Sequence, residues 1–176
     1  VAWYEHGHER IMRAHPAFNA TYPETYLDNL IKKSDLLVCA LGFTVNTLDV
    51  LNTLAVEKGI PILWIARSKS DWQKIEDHPA WQVHNLFASP HAYEDWSNHI
   101  NKMPVLKKTG FTTITTSANM LMVWQDDAHA MLPIAAETPH PEERFSNVVA
   151  SIVNEMTAWG VPLYDAANNC SGTFQD

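Results

Sequence analysis

The sequence contains little cysteine, little glycine and few basic residues. It has 2 Cys, 6 Gly and 12 Lys plus Arg, against 20 Asp plus Glu, in 176 residues. Two cysteines are too few for a disulfide scaffold and favour a reduced compartment, so we expect the protein in the cytoplasm. The net charge of −8 argues against polymeric nucleic acid as a partner, because phosphate binding requires clustered Lys and Arg.

Long apolar runs are also missing. None approaches the roughly 20 residues that a membrane-spanning helix needs, and no signal peptide is visible, so no membrane partner is expected. The hydrophobic content of 46% is ordinary for a globular chain. At this length a chain buries about 70% of its unfolded surface without a metal or disulfide. The sequence therefore predicts no cofactor, and it leaves a homo-oligomer open.

Short, uninterrupted apolar runs alternate with helical patterns in the first hundred residues. The runs at 36–41, 60–66 and 83–87 predict strands that are covered on both faces. Helices are predicted at about 47–58, at 71–77 and after Ser89. This alternation predicts a Rossmann-like parallel sheet with flanking helices, joined by right-handed crossovers. Cys39 lies within the first run and is expected to be buried and bound to no metal.

A further helix is predicted just before the first of these strands. Thr21 is expected to cap it and Glu24 to complete a capping box. The apolar residues at its helical spacing are expected to share one buried face. They are Tyr26, Leu27, Leu30 and Ile31.

The second half predicts one strand at 111–116, a helix over 118–131 and a strong helix over 142–159. Gly160-Val161-Pro162 repeats the pattern of Gly59-Ile60-Pro61, which predicts another strand at 161–164. The polar tail after Ala166 is expected to be loose. The predicted organisation is a Rossmann-like nucleotide-handling core at 1–102 and a helical extension at 103–176 that returns to the same sheet.

Ligands of open parallel sheets bind at the carboxyl ends of the strands, which points to the loops at 42–47, 67–70 and 88–91. The first loop leads into a helix start, whose free N–H groups suit an anion. Asn46 and Thr47 are also ordinary helix caps. Neither G-x-G-x-x-G nor a P-loop is present, which weakens the dinucleotide and NTP-hydrolysis hypotheses.

The segments 34–41 and 57–63 resemble the core of nucleoside 2-deoxyribosyltransferase-like proteins, a group that includes nucleotide N-glycosidases. Both show an aspartate, an apolar strand, a loop, a helix, a Gly-x-Pro and a second strand. The resemblance covers about residues 24–102. It implies a Rossmann-like fold, a nucleoside or nucleotide ligand, and chemistry at the N-glycosidic bond.

The chain departs from that family at the nucleophile. The family carries a Glu about ten residues before the Pro, and counting back from Pro61 reaches Leu51. Asp49 is the nearest carboxylate before it and becomes the candidate catalytic residue, able to attack or stabilise the sugar C1′. The alternative is that Asp49 only favours the helix dipole. The family's N-terminal strand is not identifiable in this sequence.

Two histidine clusters are candidate metal ligands, and six tryptophans are candidates for stacking on a base. The segments 6–9 and 126–129 hold His with Asp or Glu, but neither shows an established zinc spacing, and solvated polar turns or helix faces explain both. One tryptophan is able to stack on a base, although packing explains all of them. The candidates are Trp64, Trp72, Trp81, Trp96, Trp124 and Trp159.

Two main functional hypotheses follow, and a metal-dependent hydrolase that uses the histidines is a third. The first is a nucleoside- or nucleotide-handling protein acting at an N-glycosidic bond. The second is a non-catalytic binding or assembly module that keeps the fold and lacks the nucleophilic Glu. Under the first hypothesis, the predicted pocket has Asp49 at its floor. Its substrate-binding residues lie on the strand-end loops: Gly42, Phe43, Thr44, Asn46, Thr47, Ser89 and His91.

Overall fold

The structure is a computed structural model. It describes residues 2–5, 8–11, 22–32, 34–92, 112–117, 120–125, 128–133 and 141–173. The strands are β1 (Ala2–Glu5), β2 (His8–Ile11), β3 (Leu37–Ala40), β4 (Ile62–Ala66), β5 (Asn85–Ala88), β6 (Thr112–Ser117), β7 (Met120–Gln125) and β8 (Ala128–Pro133). The helices are α1 (Glu24–Ile31), α2 (Val45–Lys58), α3 (Lys69–Asp77), α4 (Pro141–Trp159) and α5 (Leu163–Thr173).

Six strands form one mixed sheet in the order β3-β4-β5-β6-β7-β8. The first four are parallel, and β7 and β8 add two antiparallel strands. β1 and β2 pair separately as an antiparallel hairpin. The fold class predicted from the sequence, an α/β sheet with flanking helices and added C-terminal helices, is confirmed.

Helices cover this sheet on both faces. Trp64 of β4 and Leu86 of β5 pack with α1, α2 and α3, whereas Leu63 and Phe87 pack with α4 and α5. Neighbouring residues of a strand point to opposite faces, so β4 and β5 are buried twice. We call the first side the α2 face and the second side the α4 face.

The prediction that the three apolar runs form parallel strands is confirmed, although the bounds of the strands differ from those predicted. α2 begins at Val45 because Thr44 caps it: the Thr47 N–H donates to Thr44 Oγ1 at 3.4 Å. Gly59 ends this helix with a φ of 66°, a left-handed conformation that Gly adopts without steric cost. Ser89 caps the helical turn that begins at Pro90, since its Oγ accepts the Ala92 N–H.

The helix predicted over 118–131 is wrong. These residues include β7 and β8, a hairpin paired to the edge of β6. The Leu and Met content favours a helix, but alternate residues Leu121 and Val123 are the buried ones, as in a strand. Pairing with β6 outweighs the weak local propensity.

The strand predicted at 161–164 is also wrong. Gly160 ends α4 with a φ of 65°, as expected, but the chain then enters α5, in which the Ala166 N–H bonds to Pro162 O at 2.9 Å. Pro is as acceptable before a first helical turn as in an edge strand, so the motif alone does not distinguish the two. The tail was expected to be loose after Ala166, but up to Thr173 it is helical, with Ala167 and Cys170 buried on the α4 face; residues 174–176 lie outside the described residues.

Two predictions at the first edge of the sheet need correction. β3 was expected to be covered on both faces, yet it is an edge strand with Val38 40% exposed. α1 buries only Leu27 and Ile31 of its apolar residues, and Tyr26 and Leu30 are exposed. Pro23 stands at its cap position without a side-chain bond. The capping role expected of Thr21 lies outside the described residues.

The burial of Cys39 is confirmed, and it raises the pKa of the thiol from 9.0 to about 12. The unfolded chain therefore loses this proton first as pH rises. Stability from the neutral thiol is complete below about pH 9 and falls by about 1.4 kcal/mol per pH unit above it.

We expect the free-energy gap between the wild-type protein and Cys39→Ala to narrow at this rate above about pH 9, measured by urea unfolding. A thiol reagent should label Cys39 only after unfolding. A gap that stays constant with pH, or rapid labelling of Cys39 in the native protein, contradicts the burial argument.

Candidate functional site

The carboxyl ends of β3, β4 and β5 bring the three predicted loops to one edge of the sheet. Parallel pairing sets their order, with Ala40 opposite Ile65 and Ala66 opposite Ala88. Backbone bonds continue beyond the strands, from the Leu41 N–H to Ile65 O and from the Ser89 N–H to Ala66 O, both at 2.9 Å. The sequence therefore located this edge correctly.

The loop at 42–47 is fastened from α3. Lys74 Nζ donates to Leu41 O at 2.6 Å and to Phe43 O at 2.9 Å. The Thr44 and Thr47 hydroxyls lie 3.0 Å apart and serve the start of α2. Gly42 and Asn46 are exposed at this loop. No sequence signal identified Lys74, because its partners are main-chain carbonyls more than thirty positions away.

The next loop is fixed by a buried carboxylate. Asp71 Oδ2 accepts the backbone N–H groups of Arg67 at 2.8 Å and Ser68 at 3.1 Å. Ser68 and Asp71 are three positions apart, a capping-box spacing that was present in the sequence and was missed. The loop leaves the Arg67 side chain exposed immediately after β4.

Ser89 and His91 take different places at the third loop. Ser89 is fully buried, and its Oγ donates to Arg67 O at 3.3 Å while accepting the Ala92 N–H. Its hydroxyl thus ties two loops together. His91 is exposed. Substrate contacts by these residues and by the 42–47 loop stay predictions.

Asp49 lies on the α2 face, and its side-chain hydrogen bond is to Trp81 and not to one of the three strand-end loops. Its Oδ1 accepts the Trp81 indole N–H at 2.6 Å. Trp81 belongs to the segment that enters β5 at its amino end, and its ring stacks on Trp64 at 5.7 Å and on His78 at 4.6 Å. Asp49 therefore has a packing role as a hydrogen-bond acceptor. Its catalytic role stays a prediction.

A groove of about 290 Å³ opens on the α4 face beside Arg67. Val38 of β3 and Ile65 of β4 form its floor, and the first half of α4 forms a wall. The α4 residues are Phe145, Ser146, Val149, Ala150 and Val153. This apolar groove with one guanidinium at its rim was not foreseen, because α4 and β3 are a hundred residues apart.

Among the ranges that the structure describes, no cluster of three or more His, Cys, Asp or Glu is arranged to hold a metal ion. The histidine segments at 6–9 and 126–129 lie partly outside those ranges. Within the described ranges, no helix combines the length and apolarity needed to cross a bilayer.

Solved structures that resemble this fold include a carbohydrate kinase and two adenosine kinases. No family model and no curated protein matches the sequence. A carbohydrate kinase from Agrobacterium tumefaciens matches at a TM-score of 0.57 and 17% identity, over 84% of this chain and 48% of its own. The Anopheles gambiae adenosine kinase, solved with a di(adenosine-5) tetraphosphate, gives 0.55 and 10%, over 85% and 50%.

The apo adenosine kinase of Trypanosoma brucei brucei gives a TM-score of 0.54 and 11% identity, over 86% of this chain and 54% of its own. At these identities the likeness shows the fold alone. The chain spans about half the length of each kinase.

The Asp49–Trp81 bond gives a stability prediction. Asp49→Ala leaves the buried indole N–H without its acceptor, and we expect a loss of about 1–3 kcal/mol. Asp49→Asn keeps an oxygen at this position and should lose less than about 1 kcal/mol. Urea unfolding of both variants measures the difference. An Asp49→Ala variant as stable as the wild-type protein would show that the bond contributes nothing.

Proposed function

We propose that this chain binds a nucleoside or nucleotide at the carboxyl edge of its parallel strands, with the ligand in the groove beside Arg67. The observation that carries the proposal is the groove's composition: an apolar floor of Val38 and Ile65, with one exposed guanidinium at the rim. A base or sugar suits the apolar part, and a phosphate suits the guanidinium.

The size and place of the groove support this proposal. Its volume of about 290 Å³ is near the lower end of small-molecule sites, which are about 300–1,000 Å³. It lies on the α4 face of the sheet, and Arg67, which directly follows β4, brings one end of it to the carboxyl ends of the strands, where ligands of open α/β sheets bind. The kinases with this fold act on carbohydrate or adenosine by name, which makes these compounds the first ligands to test.

The non-catalytic form of this hypothesis is the one we favour. Asp49 bonds to Trp81, which stacks on Trp64 on the α2 face, whereas the groove lies on the α4 face. A carboxylate on the opposite side of the sheet does not reach the C1′ of a ligand bound in the groove. The structure thus supports binding there without cleavage by Asp49.

Ligand binding is tested by thermal unfolding with adenosine, ATP, a diadenosine tetraphosphate and a set of hexoses. A ligand at about a hundred times its Kd adds about 2.7 kcal/mol to the free energy of unfolding. We expect Arg67→Gln to weaken the phosphorylated ligands by about tenfold or more and to leave adenosine unchanged, since it removes a charge-assisted bond.

Lys69→Gln is the matched control, because Lys69 is an exposed cation two positions further along. If it weakens ATP as much as Arg67→Gln, general charge attraction explains the binding. If none of these compounds raises the unfolding temperature, the proposed ligand class is wrong.

Action at the N-glycosidic bond is tested separately, by chromatography of the free base after incubation with nucleosides and nucleotides. Our proposal predicts no base release above a blank. If base is released, Asp49→Asn decides the mechanism, because it keeps the oxygen that accepts the Trp81 N–H and removes the charge. Loss of release in this variant would establish the catalytic hypothesis and overturn ours.

A further inference from the structure

A second cavity, of about 250 Å³, lies at the amino ends of β4 and β5. Its lining includes the first residue of each strand, Ile62 and Asn85, and Gly59 at the end of α2. Arg67, in the groove on the α4 face, follows the other end of β4. At about 3.3 Å per residue, β4 separates Ile62 from Arg67 by about 16 Å. We call this second site the amino-edge cavity, and it is distinct from the groove.

Hydrogen bonds hold the walls of the amino-edge cavity in place. The Gln82 N–H donates to Asn52 Oδ1 of α2 at 3.0 Å, and Gln82 O accepts the Trp64 indole N–H at 3.3 Å. Beyond the end of α2, the Ile60 N–H donates to Ala55 O at 2.9 Å. The walls are therefore formed before a ligand enters, and binding pays little to order them.

Part of the lining is apolar. Val56 of α2 and the three residues that lead into β4, Ile60, Pro61 and Ile62, contribute this part. Val56 is 41% exposed and Pro61 is also exposed, so some of this apolar surface meets solvent in the chain alone. A ligand with apolar ring faces would remove it from water, which favours binding.

The rest of the lining is polar and uncharged. It consists of Gln82, His84 and Asn85, and the cavity has no carboxylate, ammonium or guanidinium in its lining. Among the described residues, none of these three side chains has a hydrogen-bond partner in the protein. A carboxamide offers both donors and an acceptor, and a neutral imidazole offers one of each. The cavity therefore combines apolar surface with uncommitted donors and acceptors.

This combination selects for an uncharged ring ligand with polar groups at its edge. An anion or a cation would lose its water without finding an opposite charge, which is costly. Carboxamide side chains bond the donor and acceptor pairs of nucleobase edges, and imidazoles stack on base faces. The volume is below the roughly 300 Å³ at which sites for larger ligands begin, so it suits a single ring system.

We propose that the amino-edge cavity is a second binding site that takes an uncharged nucleobase, with Gln82 and His84 bonding to the edge of the base. This site does not rest on the function proposed for the groove. A phosphate finds a partner at Arg67 in the groove and none in this cavity.

The test is a titration of the chain with adenine, cytosine and uracil, followed by NMR. The backbone amides of Gly59, Gln82 and His84 should shift and saturate, because they belong to residues that line the cavity. A base of about ten non-hydrogen atoms is expected to bind with a Kd of about 1 mM or lower. The amides of Arg67 and Ser68 report on the groove in the same spectra. Glucose, which carries hydroxyls around its whole ring and leaves the apolar lining uncovered, should cause no shift.

Two variants test the polar contacts. Gln82→Leu and His84→Leu should each weaken the base by about tenfold, because a polar group of the bound base then lacks its partner. Gln73→Leu is the matched control, since Gln73 is exposed on α3 and lies outside the cavity lining, and it should bind like the wild-type protein. Urea unfolding checks that each variant folds, as expected because the bonds of Gln82 to Asn52 and Trp64 are made by its backbone.

Four results would overturn the proposal. The first is the absence of a saturable shift of the cavity amides with any of the three bases. The second is a shift with glucose as large as that with the bases. The third is binding by Gln82→Leu and His84→Leu that equals binding by Gln73→Leu. The fourth is a shift confined to Arg67 and Ser68, because the base would then occupy the groove, and the function proposed for the groove would stand without a second site.

Discussion

The burial of β4 on both of its faces is the constraint on which the rest of the structure depends. Leu63 and Trp64 are consecutive, so they point to opposite faces of the sheet, and neither has any exposed surface. The sheet therefore needs a layer of helices on each face. The strand order advances in one direction from β3 to β6, and right-handed crossovers then place α2 and α3 on the same face. The other face is left for helices from elsewhere in the chain.

That requirement explains the C-terminal third. β7 and β8 extend the sheet beyond β6, and α4 and α5 then return across it to cover Leu63 and Phe87. α5 follows the Gly160 turn as a helix because its buried residues, from Leu163 to Cys170, fill the space beside α4. Burial of that surface outweighs the polar composition that predicted a loose tail.

The same arrangement separates the two candidate sites. On the α2 face, Trp81 stacks on Trp64 and bonds to Asp49, and Lys74 fastens the first loop from α3. On the α4 face, a groove opens over Val38 of β3 and Ile65 of β4 and includes Arg67. Ligand binding is therefore proposed on the α4 face, where this groove opens.

The sequence by itself determined the parallel strands, the glycine ends of α2 and α4, and the edge where the strand-end loops meet. Apolar runs, Gly59 and Gly160 act through neighbouring residues, and their local physics decides the outcome. The sequence did not determine that 118–131 pairs as a hairpin or that 161–164 joins a helix. In both segments the local preference is weak, so packing with distant elements decides the structure.

The candidate site divides in the same way. The three loops follow from parallel topology, and Asp49 was selected by its spacing before Pro61. Only the tertiary structure showed that Trp81 takes up the Asp49 carboxylate, that Ser89 ties two loops together, and that α4 forms a groove with β3. Each of these contacts joins residues far apart in the chain, and a one-dimensional pattern carries no information on which distant groups the fold brings within bonding distance.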